Sequence, residues 1–217
     1  MGALPSTDLE GYDVLRDKVE GSLQFLQEVH SIEFKKAAKW NELKKGIPKD
    51  ILAMSNLRGG GIIIIGVEEN DNKWNRTGMM DEQLNTYNPD DMLDHVNKYA
   101  SPSVTFDVVR HTYYKEPDNK ELDFLVIQTH EFDEKPIVCK RDYADELRRG
   151  AFYIRPLGKP ESREVQTAEE MHDLLELAVE KRTRNFLQQI QKAGIDLATV
   201  PLEKTDAHKY DEESEGF

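Results

Sequence analysis

Two glutamates five positions apart, Glu28 and Glu33, open a stretch that continues with Lys35, Lys36 and Lys39. It closes on a second acidic pair, Glu68 and Glu69, placed directly after the apolar run at residues 62–67. Carboxylates brought close together raise one another's pKa unless a cation sits among them, and hard oxygen ligands of this kind suit Mg²⁺ or Mn²⁺. A divalent ion held there would polarise a phosphodiester and help generate an attacking oxygen, with the nearby lysines on the phosphates. A plainer reading fits the same residues: Glu33 and Lys35 as the solvated face of a strand, and the lysines as a solvated helix face. Spacing alone leaves both open.

The elements that must position these residues follow from periodicity. Residues 12–27 carry Val14, Leu15, Val19, Leu23 and Leu26 at helical spacing, which makes Glu28 the close of a helix. Residues 31–35 alternate, with Ile32 and Phe34 on one side and Ser31, Glu33 and Lys35 on the other, the pattern of a half-buried strand. A helix over residues 44–57 is expected from Ile47, Ile51, Met54 and Leu57, with Pro48 tolerated in its first turn and Asn56 and Gly59 to Gly61 as its stop. Residues 62–67 are β-branched apart from one glycine, as in a strand buried on both faces. If the strand of Glu33 pairs with it, the acids at either end of the stretch converge at one sheet edge.

The triple glycine invites comparison with a nucleotide loop. Such loops run strand, glycines, helix, so that the helix N-terminus meets the anion. Here the order is helix, glycines, strand, and no Gly-Lys-Ser/Thr ending follows. No nucleotide-binding residues are therefore expected.

Beyond the stretch come a polar turn at 68–78 and a helix at 89–99. Strands follow at 104–109, 124–129, 137–140 and 151–155, then a long helix at 168–193 with Met171, Leu174, Leu175, Ala178, Phe186 and Ile190 as its stripe. This is an α+β fold, a mixed sheet with flanking helices and a long C-terminal helix. The organisation expected is an N-terminal arm and start of the first helix (1–19), a core domain (20–165), the long helix (166–194) and an acidic tail (195–217). At more than twice the mean helix length of about 11–12 residues, the long helix is the first candidate for a homodimer contact.

Composition narrows the classes. The 217 residues carry a formal charge of −13, which opposes indiscriminate binding to polyanions, because phosphate neutralisation by Lys and Arg supplies most non-specific affinity. The charge is uneven. Lys35, Lys36, Lys39, Lys44, Lys45 and Lys49 form one basic segment, and Lys140, Arg141, Arg148, Arg149, Arg155, Lys159 and Arg163 form another. A fold that joins them makes a basic groove on an acidic body. The single Cys139 excludes an intramolecular disulfide or a multi-cysteine zinc site. No apolar run approaches the roughly 20 residues a membrane span needs, and no signal pattern opens the chain, so a cytoplasmic protein without membrane contact is expected.

The string from Glu28 through Ser31, Ile32, Glu33, Phe34 and Lys35, then Ala53 to Asn56, Gly59 to Gly61 and Ile65 to Glu69, resembles the signature of the Schlafen AlbA-like family. The segment Arg149 to Arg155, with Gly158 and Arg163, is similar to that domain's closing strand and turn, so the resemblance covers about residues 20–165. It implies a nucleic-acid-handling protein. Some members are metal-dependent endoribonucleases that cut transfer RNA or other structured RNA, and stress or phage defence is the setting this implies. Others are only DNA-binding or regulatory modules, or, as a third reading here, interaction subunits of a larger defence complex. By resemblance the catalytic and metal-ligating acids are Glu28, Glu33 and Glu69, with Glu68 as a substitute and Mg²⁺ or Mn²⁺ as cofactor. Lys35, Lys36, Lys39, Arg148, Arg149 and Arg155 fall on the nucleic acid. The third acid is commonly aspartate in the nucleases, so Glu69 departs from the pattern. The animal nucleases resemble two such lobes around RNA, and the single copy here implies a homodimer.

Overall fold

The computed structural model describes residues 4–71, 73–115 and 120–194. The acidic tail expected at 195–217 lies outside the described residues. The architecture is mixed α+β, built on a four-stranded sheet in the order β1-β2-β7-β6. In it β1 (Ile32–Lys35) runs parallel to β2 (Gly61–Ile65), while β7 (Lys120–Thr129) and β6 (Phe106–Lys115) are antiparallel to their neighbours.

The apolar run Gly61–Ile65 is central because it must be covered twice. Ile62 and Ile64 point into one core, with Phe34, Phe124, Val126 and the Leu15, Val19 and Leu23 stripe of α1 (Asp13–Phe25). Ile63 and Ile65 point into the other, with Leu125, Ile127 and the inner faces of α3 (Ile47–Ser55) and α5 (Pro89–Asn97). A strand alternates faces with a period of two, so a run of isoleucines has apolar positions on both sides and needs helices on both.

Several boundaries differ from the periodic reading. Helix α1 ends at Phe25 with Leu26 in the left-handed region (φ 49°), so Glu28 lies in the turn to β1 rather than closing the helix. The expected helix at 44–57 is α3 alone, preceded by the separate short α2 (Trp40–Leu43). Gly66, at φ 118°, ends β2, because a side chain there would meet the Phe124 ring at 2.8 Å. The presumed polar turn is a hairpin of β3 (Val67–Asn70) and β4 (Lys73–Arg76), tied to α1 by Arg76 Nε on the Leu23 carbonyl at 2.5 Å. The hairpin lacks an apolar run because only Val67 and Trp74 join the core.

Strands β6 and β7 outrun the expected 104–109 and 124–129, since their outer halves (Arg110 to Lys115 and Lys120 to Asp123) are mostly polar and hide from a search for apolar runs. A short helix α4 (Asp81–Leu84) and the two-residue pairs of β5 (Ala100–Ser101) with β8 (Val138–Cys139) and β9 (Tyr153–Ile154) with β10 (Arg163–Glu164) complete the body. The long helix is α6 (Ala168–Lys192). The chain divides into two compact units, Met1–Ala178 and Val179–Phe217. Among the described residues, no helix is long and apolar enough to cross a membrane.

Candidate functional site

Strand β1 lies at the sheet edge, where alternate backbone N–H groups face away from β2 and need partners. Glu28 supplies one: its Oε1 accepts from the Phe34 N–H at 2.8 Å. The turn that returns Glu28 to this position closes with Ile32 N–H donating to the Val29 carbonyl at 2.9 Å. Desolvation pushes the Glu28 carboxyl up to about 7, and repulsion from Glu33 adds to it. The Phe34 N–H, Arg155 and Lys35 pull the other way.

On the same strand, Phe34 takes the core beside α1, so Glu33 and Lys35 face α3, as the alternation required. Lys35 Nζ lies 2.5 Å from Glu33 and 3.0 Å from Asp50 of α3. Burial alone would lower the Lys35 ammonium. Asp50 and Glu33 outweigh it and hold the group above the ordinary lysine range. Asp50 went unnoticed in the sequence, although it interrupts the inner stripe formed by Ile47, Ile51 and Met54, and that acid among apolar positions was the available signal.

Arg155 completes the cluster from the far end of the chain. It donates to Glu33 Oε2 at 2.6 Å, to the carbonyls of His30 (2.8 Å), Ile32 (3.1 Å) and Pro160 (2.9 Å), and to Ser162 Oγ (3.2 Å). Its side chain is 0% exposed. The expectation that Arg155 lies on nucleic acid is therefore corrected: its donors are spent on Glu33 and on the backbone of the turn, and it fixes the geometry of the acids. Asn56 holds this arrangement together by donating to the Ile137 and Tyr153 carbonyls and accepting from Ile137 N–H at 2.7 Å. Beyond stopping a helix, Asn56 fastens α3 to β9 (Tyr153–Ile154), directly before Arg155.

The structure thus joins Glu28, Glu33, Lys35, Asp50 and Arg155. It does not draw Glu69 into the same group. Glu69 is exposed on β3 opposite Trp74, in a hairpin that enters the core on the α1 side, and Glu68 is its half-buried neighbour. Among the described residues, no three of His, Cys, Asp and Glu come together to hold a metal. Both oxygens of Glu33 meet cations, so two positive charges already stand where a divalent ion would need carboxylate oxygen. A Mg²⁺ or Mn²⁺ ion held here would have to take the place of Lys35 or Arg155 on Glu33.

Of the remaining basic residues, Lys36, Lys39, Arg148 and Arg149 are exposed, and Arg148 pairs with Glu164. The two basic segments adjoin, since Lys49 of the first reaches Glu146 within the second at 2.6 Å and Arg155 of the second reaches Glu33.

Residues 28–165 match the family described as Schlafen, AlbA_2. No curated protein matches the chain. Among solved structures, the DIP2311 protein of Corynebacterium diphtheriae is similar at 18% identity and a TM-score of 0.40, over 64% of this chain and 26% of that one. The chain therefore spans about a quarter of that protein's length. The N-terminal domain of an ATP-dependent DNA helicase RecG-related protein from Nitrosomonas europaea is similar at 18% identity and a TM-score of 0.40, over 70% of this chain and 94% of that domain.

Proposed function

The chain belongs to the Schlafen AlbA_2 family, and on that premise we propose that it binds nucleic acid through the adjoining basic segments beside α3 and β9. The observation that supports this is the meeting of residues some hundred positions apart: Lys49 with Glu146, separated by 97, and Arg155 with Glu33, separated by 122. Lys36, Lys39, Arg148 and Arg149 on these segments are exposed, while Glu33 between them is neutralised by Lys35 and Arg155. Phosphates are then met by Lys36, Lys39 and Arg149, and by Arg148 where it leaves Glu164.

Binding of labelled transfer RNA and of short single-stranded and duplex oligonucleotides, measured by fluorescence anisotropy over a range of salt, tests this. Affinity should fall steeply with salt, and Lys36→Ala combined with Arg149→Ala should reduce the slope of log K against log salt by about two, roughly one per lost phosphate contact. Absence of salt-dependent binding to every polynucleotide would overturn the proposal.

A second reading, a metal-dependent endoribonuclease acting on structured RNA, is favoured by one observation: Glu28 and Glu33 are near neighbours, and Glu28 titrates near neutrality. Incubating total transfer RNA with and without Mn²⁺ distinguishes the readings. Discrete Mn²⁺-dependent fragments that disappear in Glu33→Gln would establish the nuclease. Binding without cleavage leaves the module reading.

The proposal extends to self-association. In the unit from Val179 onward, Val179 (66% exposed), Phe186 (59%) and Leu187 present apolar surface, with Val179, Arg182, Thr183 and Phe186 around a shallow hollow. Light scattering across a concentration series should show a dimer that Phe186→Glu converts to monomer.

A further inference from the structure

Five aromatic side chains meet on the α5 side of the body: Trp40, Tyr87, His95, Tyr99 and Tyr143. Tyr87 is buried and the other four are half-buried, with Trp40, Tyr99 and Tyr143 packed against the core on one side. Tyr99 and Tyr143 stack with centroids 4.4 Å apart and planes 24° from parallel. The His95 ring stands edge-on to both, at 5.5 and 5.4 Å, and to Trp40 at 5.6 Å.

Their carriers are fixed. Ala100 and Ser101, next to Tyr99, pair with Cys139 and Val138, and the Tyr99 carbonyl accepts from Lys140 N–H at 2.7 Å. Tyr143 and Leu147 exchange two backbone hydrogen bonds, at 2.9 and 3.1 Å, and His95 Nε2 meets the Lys44 carbonyl at 3.1 Å.

Lys44, Lys98 and Arg141 sit in the segments that carry the rings, Lys44 donating to Asn41 Oδ1 at 2.9 Å. Lys44 and Lys98 lie close enough to His95 to help burial depress its pKa, and Arg141 acts on Tyr99. Of the neighbouring acids, Glu146 pairs with Lys49, Asp142 and Glu42 accept the Arg149 and Lys39 N–H groups, and Asp94 and Asp145 stand exposed in the same segments. A fixed aromatic cluster with lysine and arginine in the segments that carry it matches a polyanion that also offers flat rings. A duplex hides its base faces in the stack, whereas a single strand exposes them.

We propose that the Tyr99–Tyr143 patch, with Lys44, Lys98 and Arg141 in the segments that carry it, is a stacking platform for unpaired bases of single-stranded nucleic acid. The proposal rests on the nucleic-acid reading above and adds to it a site and a substrate form. Base–aromatic stacking is worth about 1–3 kcal/mol per base, so Tyr143→Ala should weaken binding of a short polyuridine strand about tenfold. It should leave the salt slope and the affinity for duplex unchanged, because no cation is removed. Tyr143→Phe keeps the ring and should bind as the parent does, while Lys98→Ala should lower the salt slope by about one.

Anisotropy titrations of single-stranded and duplex probes measure these quantities, with thermal melts confirming the fold of each variant. If Tyr143→Ala fails to fold, photocrosslinking of thiouridine-containing RNA to the unsubstituted protein replaces it, and the crosslinked peptide should contain Tyr99 or Tyr143. Parent-like single-strand binding by Tyr143→Ala, equal loss of duplex binding, or crosslinks confined to other peptides would overturn the platform alone. A parent protein that binds no polynucleotide would overturn the nucleic-acid reading and the platform together.

Discussion

Glu28 stabilises the edge of β1 through the Phe34 N–H, yet its charge is held in partly desolvated surroundings beside Glu33. Its folded-state value near 7 stands above the ordinary 4.5. Below 4.5 the carboxyl is protonated in both folded and unfolded chains. As pH rises from 4.5 to 7 the unfolded chain ionises first, so the folded state loses stability, and the penalty is constant above 7. The full rise corresponds to about 3 kcal/mol, which solvent screening of this partly exposed group reduces to about 1 kcal/mol. Glu28→Gln keeps an oxygen for Phe34 N–H, and denaturant melts should show it about 1 kcal/mol more stable than the parent at pH 8 but equal near pH 4.5. Arg155 is the opposite case. Arg155→Ala would leave Glu33 and three carbonyls without their donor, and a loss of roughly 3–5 kcal/mol is expected for breaking a buried pair on one side.

At the scale of elements, the N-terminal arm lies along β6: Thr7 N–H donates to the Arg110 carbonyl at 3.0 Å and Arg110 N–H to the Pro5 carbonyl at 2.7 Å. Beneath it the buried His111 meets Thr7 Oγ1 at 2.8 Å, and burial lowers its pKa. A histidine held neutral in the fold costs nothing above its unfolded value and destabilises the fold as pH falls below about 6.5. The amide-exchange protection factor at Thr7 should therefore fall below that pH while that of β2 holds, and His111→Gln should flatten the dependence. A second element-level constraint is Gly60, which has φ 69° and lies so close to β7 that an added Cβ would stand 2.1 Å from the Thr129 carbonyl oxygen. Because that obstacle is backbone, Gly60→Ala is expected to lower the melting temperature by several degrees or more.

For the whole molecule, electrostatics decides how an acidic chain meets a polyanion. Residues 201–217 carry six acids against Lys204 and Lys209, a net −4 of the total −13. Ending the chain before Pro201 should tighten binding to a single-stranded probe several-fold at low salt, with the difference vanishing at high salt as screening shortens the range of these charges. Unchanged affinity would show that the tail's charge does not act on the binding surface.

The layered fold was legible in the chain because period-two and period-3.6 patterns are local. Phe34 against Glu33 and Lys35, the doubly buried isoleucines and the stripe of α1 each announce a face, and the family signature is likewise written in consecutive residues. The β3–β4 hairpin, the polar halves of β6 and β7 and the split of α2 from α3 were hidden, because pairing and caps rather than apolar periodicity hold them. What only the tertiary structure decided is who neutralises whom. Glu33 takes its cations from a residue two positions away and from Arg155, 122 positions away. Composition names the charges, but desolvation and Coulomb energy depend on distances in space, and those are set by how β1, α3 and β9 pack.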